Sequence, residues 1–260
     1  MWLKIFRFFC VLLLIILPKV LSSSSQNENE ENSNNESINC LDIINKINIF
    51  ASKEPASKVV YIQNCTKMID NTCCFETKQL KFHHYFHPFD NSSFINKANE
   101  LKLTFKKPKA PVNLKPKILK KAVQTEHNLL NNDTNSMFVL LSVLLTNSEK
   151  NYIAIRNYIY EEIARNEKIK NVLKAITPEN YLKVRDTRDK GIFGTQLELL
   201  AASHVFDVCI YLYMHGEINH YWVLFDKELP NIDNMENKKC LYIAQTFTKY
   251  YYYHIKDVLS

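Results

Sequence analysis

The stretch Asn132-Asp133-Thr134-Asn135-Ser136-Met137-Phe138-Val139-Leu140-Leu141 places a polar loop directly before an apolar run. This pattern predicts a loop able to carry chemistry, followed by a short buried helix over Ser136–Thr146. A serine stands where such a loop would present a nucleophile. Far downstream, the segment Tyr252–Val258 contains His254, which is the candidate base. The choice between a hydrolase and a disarmed form of one therefore depends on the Ser136 oxygen.

The segment around this loop predicts a domain of about 140 residues, spanning 118–260 and large enough for a full core. Apolar periodicity predicts two further helices, over Tyr152–Leu173 and Gln196–His204. Aromatic and β-branched runs separated by polar turns predict strands near 208–213, 221–225, 240–244 and 250–258. Helices first and strands last indicate an α+β fold, with helices packed on a mostly antiparallel sheet.

Glycine use points to a second segment. The chain has three glycines, whereas average usage predicts about 18 at this length. Two of the three stand in Gly191-Ile192-Phe193-Gly194, immediately before the predicted helix at Gln196. Glycine is favoured where a turn needs positive φ or where backbone must approach closely. The segment is therefore either a tight helix entry or a loop that lines a binding groove.

The N-terminus predicts secretion. Residues 1–21 combine a basic start with the apolar run Phe8–Leu17, which suits the core of a signal peptide and is too short to span a bilayer. An uncleaved N-terminal anchor is the alternative. Residues 22–39 are almost entirely polar and predict a disordered spacer. We expect a secreted or lumenal protein with no membrane association after signal cleavage.

Such a compartment is oxidising and allows disulfides. Six cysteines remain once Cys10 leaves with the signal peptide, and six cysteines can pair in 15 ways. Four of them lie in residues 40–74, which predicts a small stapled unit within a cysteine-containing N-terminal region, 40–100. Cys209 and Cys240 lie in predicted strands, and two interpretations remain for them: a disulfide, or a pair of buried thiols.

The charge pattern argues against nucleic acid as a partner. The formal net charge is +6, and lysines concentrate in residues 102–121. Prolines interleave with these lysines, which favours a solvated linker over 101–117 rather than a binding surface. The histidines at 83, 84 and 87 fit no standard zinc spacing, so we expect no metal site, and no motif predicts a cofactor. A glycosylation sequon, Asn132-Asp133-Thr134, overlaps the candidate loop.

Five short segments, in order, resemble the ovarian tumour (OTU) family of deubiquitinating cysteine proteases. That family typically shows Asp-Gly-Asn-Cys-x-Phe, a Trp-Gly-Gly turn before a Glu-Leu helix, and a late His-Tyr-Asp strand. The resemblance covers roughly residues 118–260 and implies an OTU-like cysteine-peptidase fold. The matching segments are Asp133-x-Asn135-Ser136-x-Phe138, Thr177-Pro178-Glu179-x-Tyr181-Leu182, Phe193-Gly194-Thr195-x-x-Glu198-Leu199, Val208 to Tyr213, and His254-x-x-x-Val258.

The resemblance also implies roles for individual residues. Ser136 occupies the nucleophile position, His254 the position of the base, and Asp133 belongs to the same constellation, while Asn135 matches the family pattern beside them. The turn Phe193-Gly194-Thr195 and the strand bearing His254 would flank a groove for the extended C-terminal tail of ubiquitin or a ubiquitin-like protein. Such a tail would be held largely by backbone hydrogen bonds.

Two departures from the family pattern bear on activity. Serine replaces the nucleophilic cysteine, and a serine hydroxyl needs an oriented base because it cannot be stored as a thiolate. Lysine stands at position 256, where the family commonly has the Asp or Asn that orients the histidine. Residues two apart on a strand share a face, so we expect Lys256 beside His254 and Asp257 pointing away. A neighbouring cation disfavours imidazolium.

The sequence therefore predicts a pseudo-deubiquitinase that binds ubiquitin or a ubiquitin-like protein, with little or no isopeptidase activity. Three alternatives stay open at this stage. In the first, the protein is an active hydrolase that uses Ser136 and His254. In the second, it is an extracellular interaction module that works through residues 40–100. In the third, Ser136 is a plain helix N-cap in a domain without chemistry.

Overall fold

A computed structural model describes most of the chain from residue 58 onward. The described residues are 58–69, 72–106, 115–120, 122–126, 135–174, 176–185, 193–215, 220–232, 234–246 and 251–258. The predicted signal peptide and polar spacer lie outside these ranges, as do Cys40, Asp133, Gly191 and the Asn132 sequon.

Within the described ranges the chain forms nine strands, six α-helices and two short 3-10 helices. The strands are β1 (Val59–Ile69), β2 (Thr72–Gln79), β3 (Tyr85–Phe86), β4 (Lys117–Ile118), β5 (Ala122–Glu126), β6 (Cys209–His215), β7 (His220–Phe225), β8 (Cys240–Thr246) and β9 (Tyr252–Val258). The α-helices are α1 (Ile95–Glu100), α2 (Ser136–Thr146), α3 (Tyr152–Arg165), α4 (Glu167–Val172), α5 (Pro178–Arg185) and α6 (Gln196–Val205), with 3-10 turns at Asn91–Phe94 and Glu149–Asn151.

Seven strands form one mixed sheet in the order β2-β1-β7-β6-β8-β9-β5. Two neighbouring pairs, β1–β7 and β6–β8, run parallel, and the other four run antiparallel. Helices cover one face of this sheet. The α+β class, with helices on a mostly antiparallel sheet, is therefore confirmed.

Strand β6 is the centre of the sheet and is buried along most of its length. Its run Cys-Ile-Tyr-Leu-Tyr-Met lacks polar alternation because both of its faces are covered, one by helices and one by a second aromatic layer. Cys209 stands opposite Cys240 in the parallel register with β8, and the two form a disulfide. Of the two alternatives for this pair, the disulfide is the correct one.

The helices bury their apolar faces in one continuous core. Helix α2 is buried on nearly every side, as its uninterrupted apolar run predicts; α3 packs beside it, and α6 packs on α3. The single helix predicted over Tyr152–Leu173 is wrong, because the chain breaks it into α3 and α4 at Asn166. That residue takes an extended conformation, and its side chain accepts hydrogen bonds from the amides of Lys168 and Ile169. Asparagine is a strong N-cap, and this one starts a new helix.

The opposite face of the sheet carries an aromatic layer. Tyr211 and Tyr242 stack with ring centroids 5.2 Å apart, and Trp222 meets both rings edge-on. The segment around β3 covers them, and within it the Nδ1 atom of His84 lies 2.7 Å from the Tyr211 hydroxyl. The histidine run thus contributes a buried side chain, His84, to this layer.

Strands β1 and β2 extend the same sheet from the N-terminal side. Val59 and Val60 pair with Trp222 and Val223 of β7, so part of region 40–100 shares a sheet with residues 118–260. The boundaries drawn from sequence at 101–117 stay a prediction. No helix in the described part of the chain is both long and apolar enough to cross a membrane.

The buried His84 gives a prediction about pH. Burial lowers its pKa from 6.5 to about 4. The unfolded chain therefore binds more protons than the folded protein between those two values, and stability falls as pH drops through that window. We expect His84→Asn to flatten the pH dependence of the free energy of unfolding by up to about 3 kcal/mol between neutral pH and pH ~4.

Urea unfolding at several pH values measures this effect. The exposed neighbour His83 supplies the control. Its charge is the smaller cause of the lowered pKa of His84, so His83→Asn should flatten the pH profile much less than His84→Asn does. Equal flattening by both substitutions would show that burial of His84 is not the cause.

Candidate active site

Ser136 is the first residue of α2, and its side chain is enclosed. Only 2% of the residue is exposed, and its Oγ has no hydrogen-bond partner among the described residues. The N-cap position belongs to Asn135, not Ser136, and neither side chain caps the helix. The interpretation of Ser136 as a plain N-cap is therefore wrong. Its hydroxyl is a buried polar group without a structural task, which is uncommon in folded proteins.

Arg156 of α3 anchors the residue before the serine. Its Nη1 donates a hydrogen bond to Asn135 Oδ1 at 3.2 Å, and only 6% of the residue is exposed. The guanidinium lies 5.5 Å from the ring centroid of Phe138 and 5.3 Å from that of Tyr160. A charged group buried between aromatic rings is stabilised by cation–π contact as well as by hydrogen bonds. Arg156 thus fixes Asn135 from the helix side.

Gly194 is packed directly against the residue after the serine. A Cβ placed at Gly194 would overlap the thioether end of Met137, which is itself fully buried. The glycine lets the turn approach α2 without moving the end of this side chain. The segment is a tight helix entry, because Thr195 caps α6 directly after Gly194, and its role in lining a binding groove stays a prediction.

The same turn is fastened to β9. The hydroxyl of Tyr252 donates to the Gly194 carbonyl at 2.9 Å, and the rings of Phe193 and Tyr251 meet edge-to-face with centroids 6.4 Å apart. Both contacts join the turn Phe193-Gly194-Thr195 to the start of β9, the strand that bears His254. The turn therefore lies between α2 and β9 and touches both.

A buried carboxylate fixes the far side of the turn. Thr195 and Glu198 form a capping box at the start of α6, in which Glu198 Oε2 accepts from the Thr195 amide at 2.8 Å. Glu198 Oε1 accepts from the Tyr181 hydroxyl of α5 at 2.8 Å. Two of the family-like segments, 177–182 and 193–199, are thereby tied together by hydrogen bonds.

His254 lies on the helix-facing side of β9. Its register partner on β8 is Ile243, which belongs to the helix-side core, and Tyr252 two residues earlier belongs to the same core. Lys256 is exposed, and the pairing of β9 with β5 is irregular beside it, because Asp257 and Ile255 stand opposite the consecutive residues Gln124 and Thr125. Strict alternation from His254 therefore does not extend to Lys256. Asp257 is directed elsewhere, because its Oδ1 lies 2.9 Å from Lys117 Nζ. That bond holds the pKa of Asp257 below its ordinary value.

The Gly194 turn connects the two elements that carry Ser136 and His254. Helix α2 packs against β9, and the turn contacts Met137, next to Ser136, and Tyr252, two residues before His254. Ser136 Oγ is nevertheless not hydrogen-bonded to His254. Asp133 lies outside the described residues. In the described part of the chain no cluster of three or more His, Cys, Asp or Glu side chains is arranged to hold a metal ion.

Four side chains that position this site were not singled out from the sequence. Thr195-x-x-Glu198 is a recognisable capping-box pattern that would have identified the turn as a helix entry. Met137, Arg156 and Tyr252 carry no such local signal, because their contacts come from distant parts of the chain. The missed residues are Met137, Arg156, Glu198 as a cap, and Tyr252.

No protein-family model and no curated protein matches this chain. Solved structures similar to it are OTU domain proteases. The viral OTU domain protease from Dera Ghazi Khan virus is 17% identical over 51% of this chain and 80% of that chain, with a TM-score of 0.40. The OTU domain of OTUD1 is 14% identical over 51% and 85%, with a TM-score of 0.41. The Hazara virus OTU bound to ubiquitin is 14% identical over 53% and 82%, with a TM-score of 0.37. These values do not assign a family.

The hydrogen bond between the Tyr252 hydroxyl and the Gly194 carbonyl can be tested by removing the hydroxyl. Tyr252→Phe deletes the buried hydrogen bond to the Gly194 carbonyl and should cost about 1 kcal/mol of unfolding free energy. Amide hydrogen exchange at residues 193–195 should accelerate at the same time, because the turn loses its tie to the strand.

Tyr251→Phe is the matched control, since it removes a hydroxyl one residue away and keeps the ring that contacts Phe193. We expect its effect to stay within about 0.5 kcal/mol. If both variants change stability and exchange equally, the Tyr252 hydroxyl is not what holds the turn.

Proposed function

We propose that residues 118–260 form an OTU-like domain that binds ubiquitin or a ubiquitin-like protein noncovalently and has little or no isopeptidase activity. One observation carries this proposal. The Ser136 hydroxyl, at the position of the nucleophile, is buried and makes no hydrogen bond to His254 or to any other described residue.

A serine nucleophile needs more help than a cysteine. A thiol is readily stored as thiolate beside an imidazolium, whereas a serine hydroxyl loses its proton only during attack, to a histidine already in hydrogen-bond reach. Ser136 lacks that contact, and with 2% exposure its oxygen is shielded from a scissile carbonyl. The sequence departure and the local geometry therefore both favour loss of catalysis.

The charge around His254 supports the same conclusion. Lys256 stands two residues after it in sequence, at the position where a family member commonly carries an orienting Asp or Asn. A positive charge at this place destabilises the imidazolium that forms when the base accepts a proton. The nearest carboxylate on the strand, Asp257, is engaged by Lys117 and does not replace the missing group.

Binding does not need the nucleophile. The proposed binding wall consists of the turn Phe193-Gly194-Thr195 and the first residues of β9. It is held together by buried packing and by hydrogen bonds that do not involve Ser136. An extended peptide tail lying along this wall would be recognised through backbone hydrogen bonds, and the Phe193 and Tyr251 rings would supply apolar contact. The proposed site therefore keeps a recognition surface while its reactive group is disabled.

Binding is tested by titrating labelled ubiquitin with the protein and following amide shifts in its C-terminal tail. We expect saturable shifts, and we expect Phe193→Ala to weaken binding about tenfold, equivalent to about 1.4 kcal/mol. Phe82→Ala is the control, because Phe82 packs on the opposite face of the sheet and should leave the affinity unchanged. An absence of shifts with ubiquitin and with ubiquitin-like proteins would overturn the proposal.

Catalysis is tested with cleavage of ubiquitin chains and an electrophilic ubiquitin probe. The wild-type protein should show neither cleavage nor labelling. We expect Ser136→Cys alone to stay near this background because Lys256 remains, and the double variant with Lys256→Asp to gain activity. Labelling of wild-type protein that disappears in Ser136→Ala would instead establish an active serine hydrolase.

A further inference from the structure

Two cysteines outside the candidate site face the same side of the edge hairpin. Cys65 lies on β1 opposite Phe75, and Cys73 lies on β2 opposite Met68, so each is a diagonal neighbour of the other across the two strands. Both side chains belong to the helix-side core, and their residues are 1% and 5% exposed. The fold therefore places two sulfur atoms together in an apolar interior.

The two thiols are in direct contact. Cys73 forms a side-chain hydrogen bond to Cys65, and that bond lowers the pKa of the Cys65 thiol below its ordinary value. Neither residue is disulfide-bonded in the structure. Thiolate is the species that attacks a disulfide, so the hydrogen bond prepares Cys65 rather than Cys73 for exchange.

The local backbone suits a cross-link. A disulfide needs Cβ atoms about 3.8 Å apart, which is closer than regular diagonal neighbours stand. The register between β1 and β2 shifts on both sides of Cys65, between Ile62 and Asn64 and again between Cys65 and Lys67. Such bulges bend a strand and change its twist, so this part of β1 can bring Cys65 toward its diagonal neighbour.

The other described cysteines are already oxidised. Cys209 and Cys240 form a disulfide across β6 and β8, and Cys74, next to Cys73 in sequence, is disulfide-bonded as well. Cys65 and Cys73 are thus the remaining thiols among the described residues, and conditions that oxidise the first three apply equally to them.

We propose that Cys65 and Cys73 form a further disulfide, which staples the edge hairpin β1–β2. The oxidant is a disulfide such as oxidised glutathione. Cys65 thiolate attacks it to give a mixed disulfide and release one thiol, and Cys73 then displaces the second, so two protein thiols and one oxidant disulfide become one protein disulfide and two released thiols.

Burial sets the time at which this reaction happens. With both sulfur atoms enclosed in the folded core, an oxidant the size of glutathione has access only while the hairpin is still open to solvent. The bond therefore forms before the helices close over β1, and once formed it resists reduction. Its structural effect is local, because β1 is joined to the rest of the sheet by only two residue pairs with β7.

The test maps cysteine pairing in the full chain folded in a glutathione redox buffer. Free thiols are blocked with N-ethylmaleimide in denaturant, and non-reduced peptides are then identified by mass spectrometry. We expect a cross-linked peptide pair containing Cys65 and Cys73, with no maleimide on either residue. Recovery of both residues fully blocked, or joined to other cysteines, would overturn the proposal.

Variants give the control for this experiment. In Cys65→Ala, the cross-linked pair should vanish and Cys73 should carry maleimide, while the Cys209–Cys240 pair persists as an internal standard. Folded wild-type protein prepared without oxidant should acquire the Cys65–Cys73 bond much more slowly than the same protein refolded in the redox buffer. Equal rates would contradict oxidation before burial.

Discussion

The absence of a side chain at Gly194 is the constraint on which the candidate site depends. Without a Cβ, the turn settles onto Met137, and its carbonyl then stands where Tyr252 can donate to it. One backbone position thereby contacts both the start of α2 and the start of β9. A Cβ at Gly194 would displace the thioether end of the buried Met137, on which the turn packs. Three parts of the chain, far apart in sequence, thus share a single point of contact.

Hydrogen bonds fix the residues near this contact, but they leave the Ser136 hydroxyl unused. Arg156 holds Asn135, and the Thr195–Glu198 capping box holds the turn. The Tyr181 hydroxyl ties α5 to both residues of that capping box. None of these contacts uses the Ser136 hydroxyl. The hydrogen bonds of this region lie in the supporting residues and not on the serine, which is the pattern that the proposed function, recognition without catalysis, requires.

Much of this arrangement could be predicted from the sequence, and the part that could not has a physical cause. Uniform apolarity over Ser136–Thr146 correctly predicts a buried helix, since no strand pattern competes with it. Apolar periodicity alone predicts one continuous helix and misses the break at Asn166, because the capping side chain of Asn166 outweighs the apolar spacing on either side. Region 40–100 is predicted to contain a small stapled unit, and its strands β1 and β2 pair into the main sheet through long-range contacts that no local pattern reveals. The same holds for Met137 and Tyr252, whose importance comes from what packs on them.

The register between β5 and β9 has a consequence for how this site can change. Glu126, the last residue of β5, stands opposite His254, and α2 begins at Ser136 only ten positions later. The connection between them thus starts beside the histidine and ends at the serine. Its two ends are anchored in the sheet and in the core, so insertions or deletions between them would change the covering of this place and leave the two anchors where they are. The length of this connection can therefore vary without cost to the core.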